Sequence, residues 1–231
     1  MSTTYASFLK YIREERALSQ AVVAERAGMS RASYVAVEKG TKELTLAEAD
    51  SLTKLFSISI DELLRTQAPD LEKYRQMILT FLRIATVSGQ VIKKTKLAKL
   101  LYLTDFSWYY LTEKSMSGVA YRRIDFGPVA DAYFRLLEEM EQDGTITIKQ
   151  IYRDDYHMYE IAETKTSSKK LLTLITKKEI GHMGKIWKQW SGASTAEIVK
   201  FTHEQKPYQL SLPGELIAYE LIKTEESYNI Y

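Results

Sequence analysis

Apolar residues in the first 65 positions recur every three or four residues in short runs, and each run is bounded by a capping residue or a glycine. Phe8, Ile12 and residues 15–18 predict one helix. Ser19 caps a second, with Val22, Val23 and Ala27 on its apolar face, and Gly28 offers the positive φ that ends it. Ser30 caps a third, where Tyr34 and Val37 turn inward at i and i+3 while Arg31, Ala32, Ser33 and Ala36 face out; Gly40 stops it. Leu46, Ala49, Leu52, Leu55 and Phe56 predict a fourth helix, and Ser59 caps a short fifth over residues 60–64. Five helices this short bury their faces only as one bundle.

The rhythm breaks at Thr66-Gln67-Ala68-Pro69-Asp70, where Pro69 disfavours helix at Ala68 and Asp70 can cap the next helix. The expected organisation is a domain at 1–66, a linker at 67–70 and a larger domain at 71–231. There, Leu71, Tyr74, Ile78, Phe81, Leu82 and Ala85 predict an amphipathic helix, and positions 97, 100, 101, 104, 108 and 111 predict a second with one buried stripe. Gly127-Pro128 reads as the start of a third, with Val129, Ala132, Tyr133, Leu136, Leu137 and Met140 inward and Asp143-Gly144 at its end. Residues 145–152 and 156–162 alternate across Arg153-Asp154-Asp155 as a β-hairpin. Helix returns over 168–190, Ser194 and Glu197 form a capping box for another through His203, and a last helix covers 215–222. The expected fold class is mainly α: a five-helix domain, then a mostly helical α+β domain with one small hairpin.

Composition narrows the chemistry. The 231 residues contain no Cys, so disulfides and thiolate metal sites are excluded. No apolar run is long enough for a membrane span and the N-terminus lacks a signal-peptide pattern, which points to a cytoplasmic protein. A net charge of +2 gives no bulk attraction to nucleic acid. Locally, however, Arg16, Arg26, Arg31, Lys39 and Lys42 face only Glu25 and Glu38 around the second and third helices. The three His, at 157, 182 and 203, are too dispersed for a local metal pair, and no phosphate-cradling loop or nucleophile elbow occurs. Neither a cofactor nor catalysis is expected.

Leu18-Ser19-Gln20, Ala27-Gly28, Ser30-Arg31, Tyr34, Glu38-Lys39-Gly40 and Ser59 to Leu64 together resemble the Cro/CI-type (XRE) helix-turn-helix over residues 6–65. The resemblance implies a third helix that enters the DNA major groove, with Arg31, Ala32, Ser33 and Ala36 toward bases and Gln20 on phosphate. It also implies a structural ion pair between Arg13 and Glu38. Arg31 can bond guanine through two donors, with a phosphate contact as its alternative, whereas Ala32 and Ala36 offer only methyl groups. Lys39 and Lys42 follow the helix and are expected on phosphate, a solvated loop being the bland reading. So donor-poor a surface calls for a homodimer on a palindromic double-stranded operator.

Residues 72–222 resemble the Panacea domain of SocA-like antitoxins, through Lys99-Leu100-Leu101-Tyr102-Leu103-Thr104-Asp105, Ser117-Gly118, Tyr121, Phe126-Gly127-Pro128-Val129, Leu136-Leu137 and Thr202-His203-Glu204. Asp125-Phe126 departs from the family pattern, which leads one to expect a pair such as Pro-Tyr. The resemblance implies an antitoxin that neutralises, by direct binding, a protein toxin encoded next to it, and whose helix-turn-helix represses the shared operon. A phage or mobile-element regulator with a signal-sensing second domain, and a proteolytic adaptor, are the competing readings.

All but three of the sixteen Tyr follow residue 66. Tyr102, Trp108 and Tyr133 fall on core stripes, whereas Tyr109, Tyr110, Tyr121 and Tyr208 are candidates for a partner surface. Asp105 is expected as a buried acceptor for a backbone donor or Lys99, and His203-Glu204 as a helix-end hydrogen-bonded pair. Lys93, Lys94, Lys96 and Lys99 read as a solvated helix face, as do Lys169, Lys170, Lys177 and Lys178, with nucleic-acid binding as the alternative for both groups.

Overall fold

The computed structural model describes residues 4–65, 68–153 and 156–231. Thr66 and Gln67, at the expected boundary, and Asp154-Asp155, at the expected hairpin turn, lie outside the described residues. The chain divides into two compact units, Met1–Pro69 and Asp70–Tyr231.

The first unit is five helices: α1 (Thr4–Glu15), α2 (Gln20–Arg26), α3 (Arg31–Glu38), α4 (Leu46–Phe56) and α5 (Ile60–Arg65). Ser19 Oγ accepts from the Val22 amide and Ser30 Oγ from the Ser33 amide, so each cap satisfies a helix-end donor. After α2, Gly28 N donates to Glu25 O and Met29 N to Ala24 O, with Gly28 at φ +68. The same closure follows α3, where Gly40 N reaches Val37 O and Thr41 N reaches Ala36 O. These two Schellman turns set where each helix stops and how the chain leaves it. The first helix ends at Glu15, and residues 16–18, expected inside it, leave through Ala17 at φ 51. Leu9, Val23, Tyr34, Val37, Leu52, Phe56 and Leu63 are fully buried together as the core.

The second unit contains α6 (Leu71–Val87), α7 (Lys94–Thr112), α8 (Tyr133–Gln142), α9 (Lys177–Trp190), α10 (Thr195–Glu204) and α11 (Lys206–Leu210). Its strands are β1 (Ile92–Lys93), β2 (Tyr121–Ile124), β3 (Gly127–Ala130), β4 (Ile146–Arg153), β5 (Tyr156–Glu163) and β6 (Leu216–Ile217). They form two antiparallel three-stranded sheets, ordered β1-β5-β4 and β3-β2-β6. The expected hairpin is β4–β5, in which Ile148 pairs with Ile161 and Ile161 in turn with Ile92.

Three expectations are corrected here. Gly127-Pro128 opens β3 rather than a helix: β3 is an edge strand, where the missing proline N–H is tolerated, and the helix waits until Tyr133. Residues 167–169 form a 3-10 turn and helix resumes only at Lys177, behind the capping box of Thr176 and Glu179. The last segment is β6 followed by a 3-10 turn over Tyr219–Thr224.

α7 is the axis of this unit. Every residue from Lys96 to Ser107 is buried, so the expected one-sided stripe is instead a helix wrapped on all sides. Near its end Trp108 is half-buried and Leu111 exposed.

Candidate functional site

In the first unit, the outward face of α3 forms a shallow concavity lined by Arg31, Ala32, Val35, Ala36, Lys39 and Thr41. Ser33, expected to face bases with them, is half-buried and does not line it. Val35 and Thr41 were not singled out from the sequence, although Arg31, Val35 and Lys39 follow the four-residue spacing of one helical face. Arg26, Arg31 and Lys39 are exposed, and their side chains make no hydrogen bond or ion pair among the described residues.

The other local cations are engaged inside the unit. Arg16 donates to the carbonyls of Leu55 and Phe56 and lies over the Phe56 ring. Lys42, expected on phosphate, pairs with Glu48, whose second oxygen accepts the Thr45 amide at the start of α4. Its charge is therefore shared with a carboxylate in the same unit.

Behind the face stands Glu38. Arg13 Nε donates to its Oε1 at 2.6 Å, and Gln20 Nε2 donates to its Oε2 at 2.8 Å. One carboxylate thus ties α1, α2 and α3 together. Burial alone would raise its pKa, but the Arg13 and Gln20 bonds outweigh that and hold it below the usual carboxylate range. Gln20, expected on phosphate, has one amide hydrogen committed to this brace. The buried Tyr34 phenol is pushed up by desolvation and by the Glu38 charge.

In the second unit the sequence blocks around Lys99, Gly127-Pro128 and His203 meet at one place. Lys99 has no exposed surface, and its ammonium donates to Pro128 O at 2.9 Å. Burial lowers its pKa to about 7. A Cβ on Gly127 would stand 2.9 Å from both Lys99 Nζ and His203 Nε2, and φ is +89 there, so the position accepts glycine alone without displacement. His203 stacks on Tyr208 with ring centroids 4.5 Å apart, and Arg123 covers the Tyr208 ring at 4.6 Å. Its buried Nε2 has no hydrogen-bond partner, and burial followed by the Lys99 and Arg123 charges keeps its pKa low. Glu204 instead faces Lys200, so the expected His203-Glu204 pair is not formed.

Nearly two turns along α7, Asp105 is wholly buried. Its Oδ1 accepts the amides of Met116 and Ser117, and its Oδ2 accepts the hydroxyls of Ser117 and Tyr121. Lys99 is not among its donors. Desolvation pushes the carboxyl up against these four bonds.

The four tyrosines expected on a partner surface are used internally. Tyr121 is fully buried on Asp105, and Tyr208 is 8% exposed with its hydroxyl donated to Ile124 O. Tyr109 and Tyr110 are half-buried under the C-terminal segment: Tyr109 donates to Glu220, and Lys223 lies over the Tyr110 ring. Lys96 is likewise buried, donating to the carbonyls of Ala193 and Ser191, so the expected lysine face of α7 is partly interior.

Residues 9–63 match the family of the helix-turn-helix, and residues 97–209 match the family described as antitoxin SocA-like, Panacea domain. The chain joins a helix-turn-helix to a Panacea domain. Both families are non-catalytic. The matched part of the Panacea domain runs from Leu97 on α7 to Gln209 on α11, narrower than the resemblance over 72–222, and contains both the Lys99–His203 cluster and the Asp105 network. No curated protein and no solved structure matches the chain. Among the described residues no helix is long and apolar enough to cross a membrane, and no group of three or more His, Asp or Glu could hold a metal ion.

Proposed function

We propose that the chain is an antitoxin of a toxin–antitoxin pair: its Panacea domain neutralises the toxin encoded beside it by direct, stoichiometric binding, and its helix-turn-helix, as a homodimer, represses the shared operon. The observation that carries this reading is the presence of both matched domains in one chain, with the α3 face open and cationic. On that face Arg31 reads bases, Val35 and the alanines supply apolar contacts, and Lys39 holds phosphate.

The test is co-expression with the adjacent gene product, scored for growth rescue, alongside operator binding. The antitoxin reading requires wild-type rescue that Arg31→Ala retains while losing at least tenfold in operator affinity. A regulator that only senses a signal would give no rescue with either protein. A proteolytic adaptor would shorten the toxin's lifetime in cells, where stoichiometric neutralisation leaves an inert, persistent complex.

A further inference from the structure

Beside the Lys99–His203 cluster, the second unit opens a cavity of about 230 Å³ whose wall includes Lys99, Val129, Lys94, Phe126, Phe134 and Tyr159. It is smaller than the ~300–1,000 Å³ of small-molecule sites and suits a single large side chain. Its rim is apolar yet held out to solvent: Phe126 is 74%, Phe134 46% and Tyr159 40% exposed. Grouped exposed aromatics mark a surface that another macromolecule covers.

The charge around it has one sign. No Asp or Glu lines the cavity. Lys94 Nζ rests 5.0 Å from the Phe134 ring centre and 5.7 Å from that of Tyr159, and it forms no ion pair among the described residues. Lys93 also lines the cavity, but Glu160 stands opposite it in the β1–β5 register, and Lys99 in the wall is buried on Pro128 O, so Lys94 at the rim carries the argument. The site is also built firmly, since the Tyr133 hydroxyl donates to Lys94 O at 2.7 Å and fixes α8 against the start of α7.

We propose that this cavity is where the partner protein docks: an acidic segment of the partner places one aromatic or branched apolar side chain between Phe126, Phe134 and Tyr159 and sets a carboxylate against Lys94. This rests on the antitoxin reading and deepens it by locating the contact. A second copy of the chain fits less well, because a two-fold contact through this rim would bring Lys94 toward Lys94.

Phe126→Asp and Lys94→Glu test the assignment in the full chain, with the adjacent gene's product as the probe and Leu171→Asp, at an exposed leucine outside the cavity lining, as control. Unchanged thermal unfolding establishes that each variant folds. The expected result is at least tenfold weaker binding and lost growth rescue for the two cavity variants, with the control and Arg31→Ala unaffected. Wild-type-like binding by both cavity variants, with the wild type binding tightly, overturns the cavity and leaves the antitoxin reading standing. No binding by the wild type removes both. A small molecule seen by native mass spectrometry, or a dimer seen by sedimentation, that disappears in Phe126→Asp while toxin binding persists would assign the cavity to that occupant and overturn the proposal.

Discussion

Each unit is organised around a buried carboxylate, and the two solve the same problem in opposite ways. Glu38 in the helix-turn-helix is balanced by a cation, Arg13, with Gln20 as a neutral second donor. Asp105 in the Panacea domain receives two backbone amides, a serine hydroxyl and a tyrosine hydroxyl. The first therefore has its pKa lowered and the second raised, despite the larger number of bonds on Asp105. Asp105 is the more deeply buried and has no cation to offset its larger desolvation, whereas Glu38 is less desolvated and has a full charge a few ångströms away.

The largest expected effect comes from Asp105→Ala, which strands four buried donors at roughly 1–3 kcal/mol each. Thermal unfolding should show the Panacea transition lowered by ~10 °C or lost, since each kcal/mol moves a unit of this size by about 2–4 °C. Asp105→Asn, which keeps an acceptor for the two amides, should fall between; equal damage from both would count against the network. Next is Arg13→Ala, which leaves Glu38 without its cation at a cost of about 3 kcal/mol, read as a lower midpoint in urea for the helix-turn-helix.

The contrast extends to pH. Because Glu38 has a folded pKa below its unfolded value, its contribution is fully present above about pH 4.5 and is lost as pH falls through the folded value. Asp105 runs the other way: its raised pKa makes the native state the better proton binder, so its term weakens the Panacea domain as pH rises from about 3.8 through the folded value. Stability measured against pH for Glu38→Gln and Asp105→Asn should therefore differ from wild type with opposite slopes, and slopes of one sign would break the comparison. The smallest effect concerns salt. Lys39→Ala should reduce the slope of log affinity against log salt by about 1, whereas Lys42→Ala, already paired with Glu48, should leave it nearly unchanged.

What could be read from the sequence tracks how locally each feature is determined. The α2–α3 turn was legible because Ser19, Ser30, Gly28 and Gly40 act within four residues of themselves. α7 was half legible. Its apolar positions gave a helix, but Thr104 and Ser107 hide in the interior by donating to the carbonyls of Leu100 and Leu103, a solution that a hydrophobic stripe does not reveal. Lys96 and Lys99 read as surface because the carbonyls that hold them, at Ala193 and Pro128, lie far along the chain. Tyr121 and Tyr208 failed as surface candidates for the same reason: their hydroxyl partners, Asp105 and Ile124, are set by the fold and not by neighbours in sequence. Pro128 carried a signal shared by first helical turns and edge strands, and only the pairing of β3 with β2 decides between them.

The complete burial of α7 from Lys96 to Ser107 has a consequence for how such a chain can change over generations. Phe126 lies in the turn between β2 and β3, Phe134 on α8 and Tyr159 on β5, so the exposed aromatics belong to elements laid around the axis and none belongs to the axis itself. Replacing one of them alters what the surface fits without disturbing Asp105, Lys99 or the packing that holds the helix. On the docking proposed above, the outer residues could be exchanged one at a time to follow a changing partner while the buried helix keeps its packing.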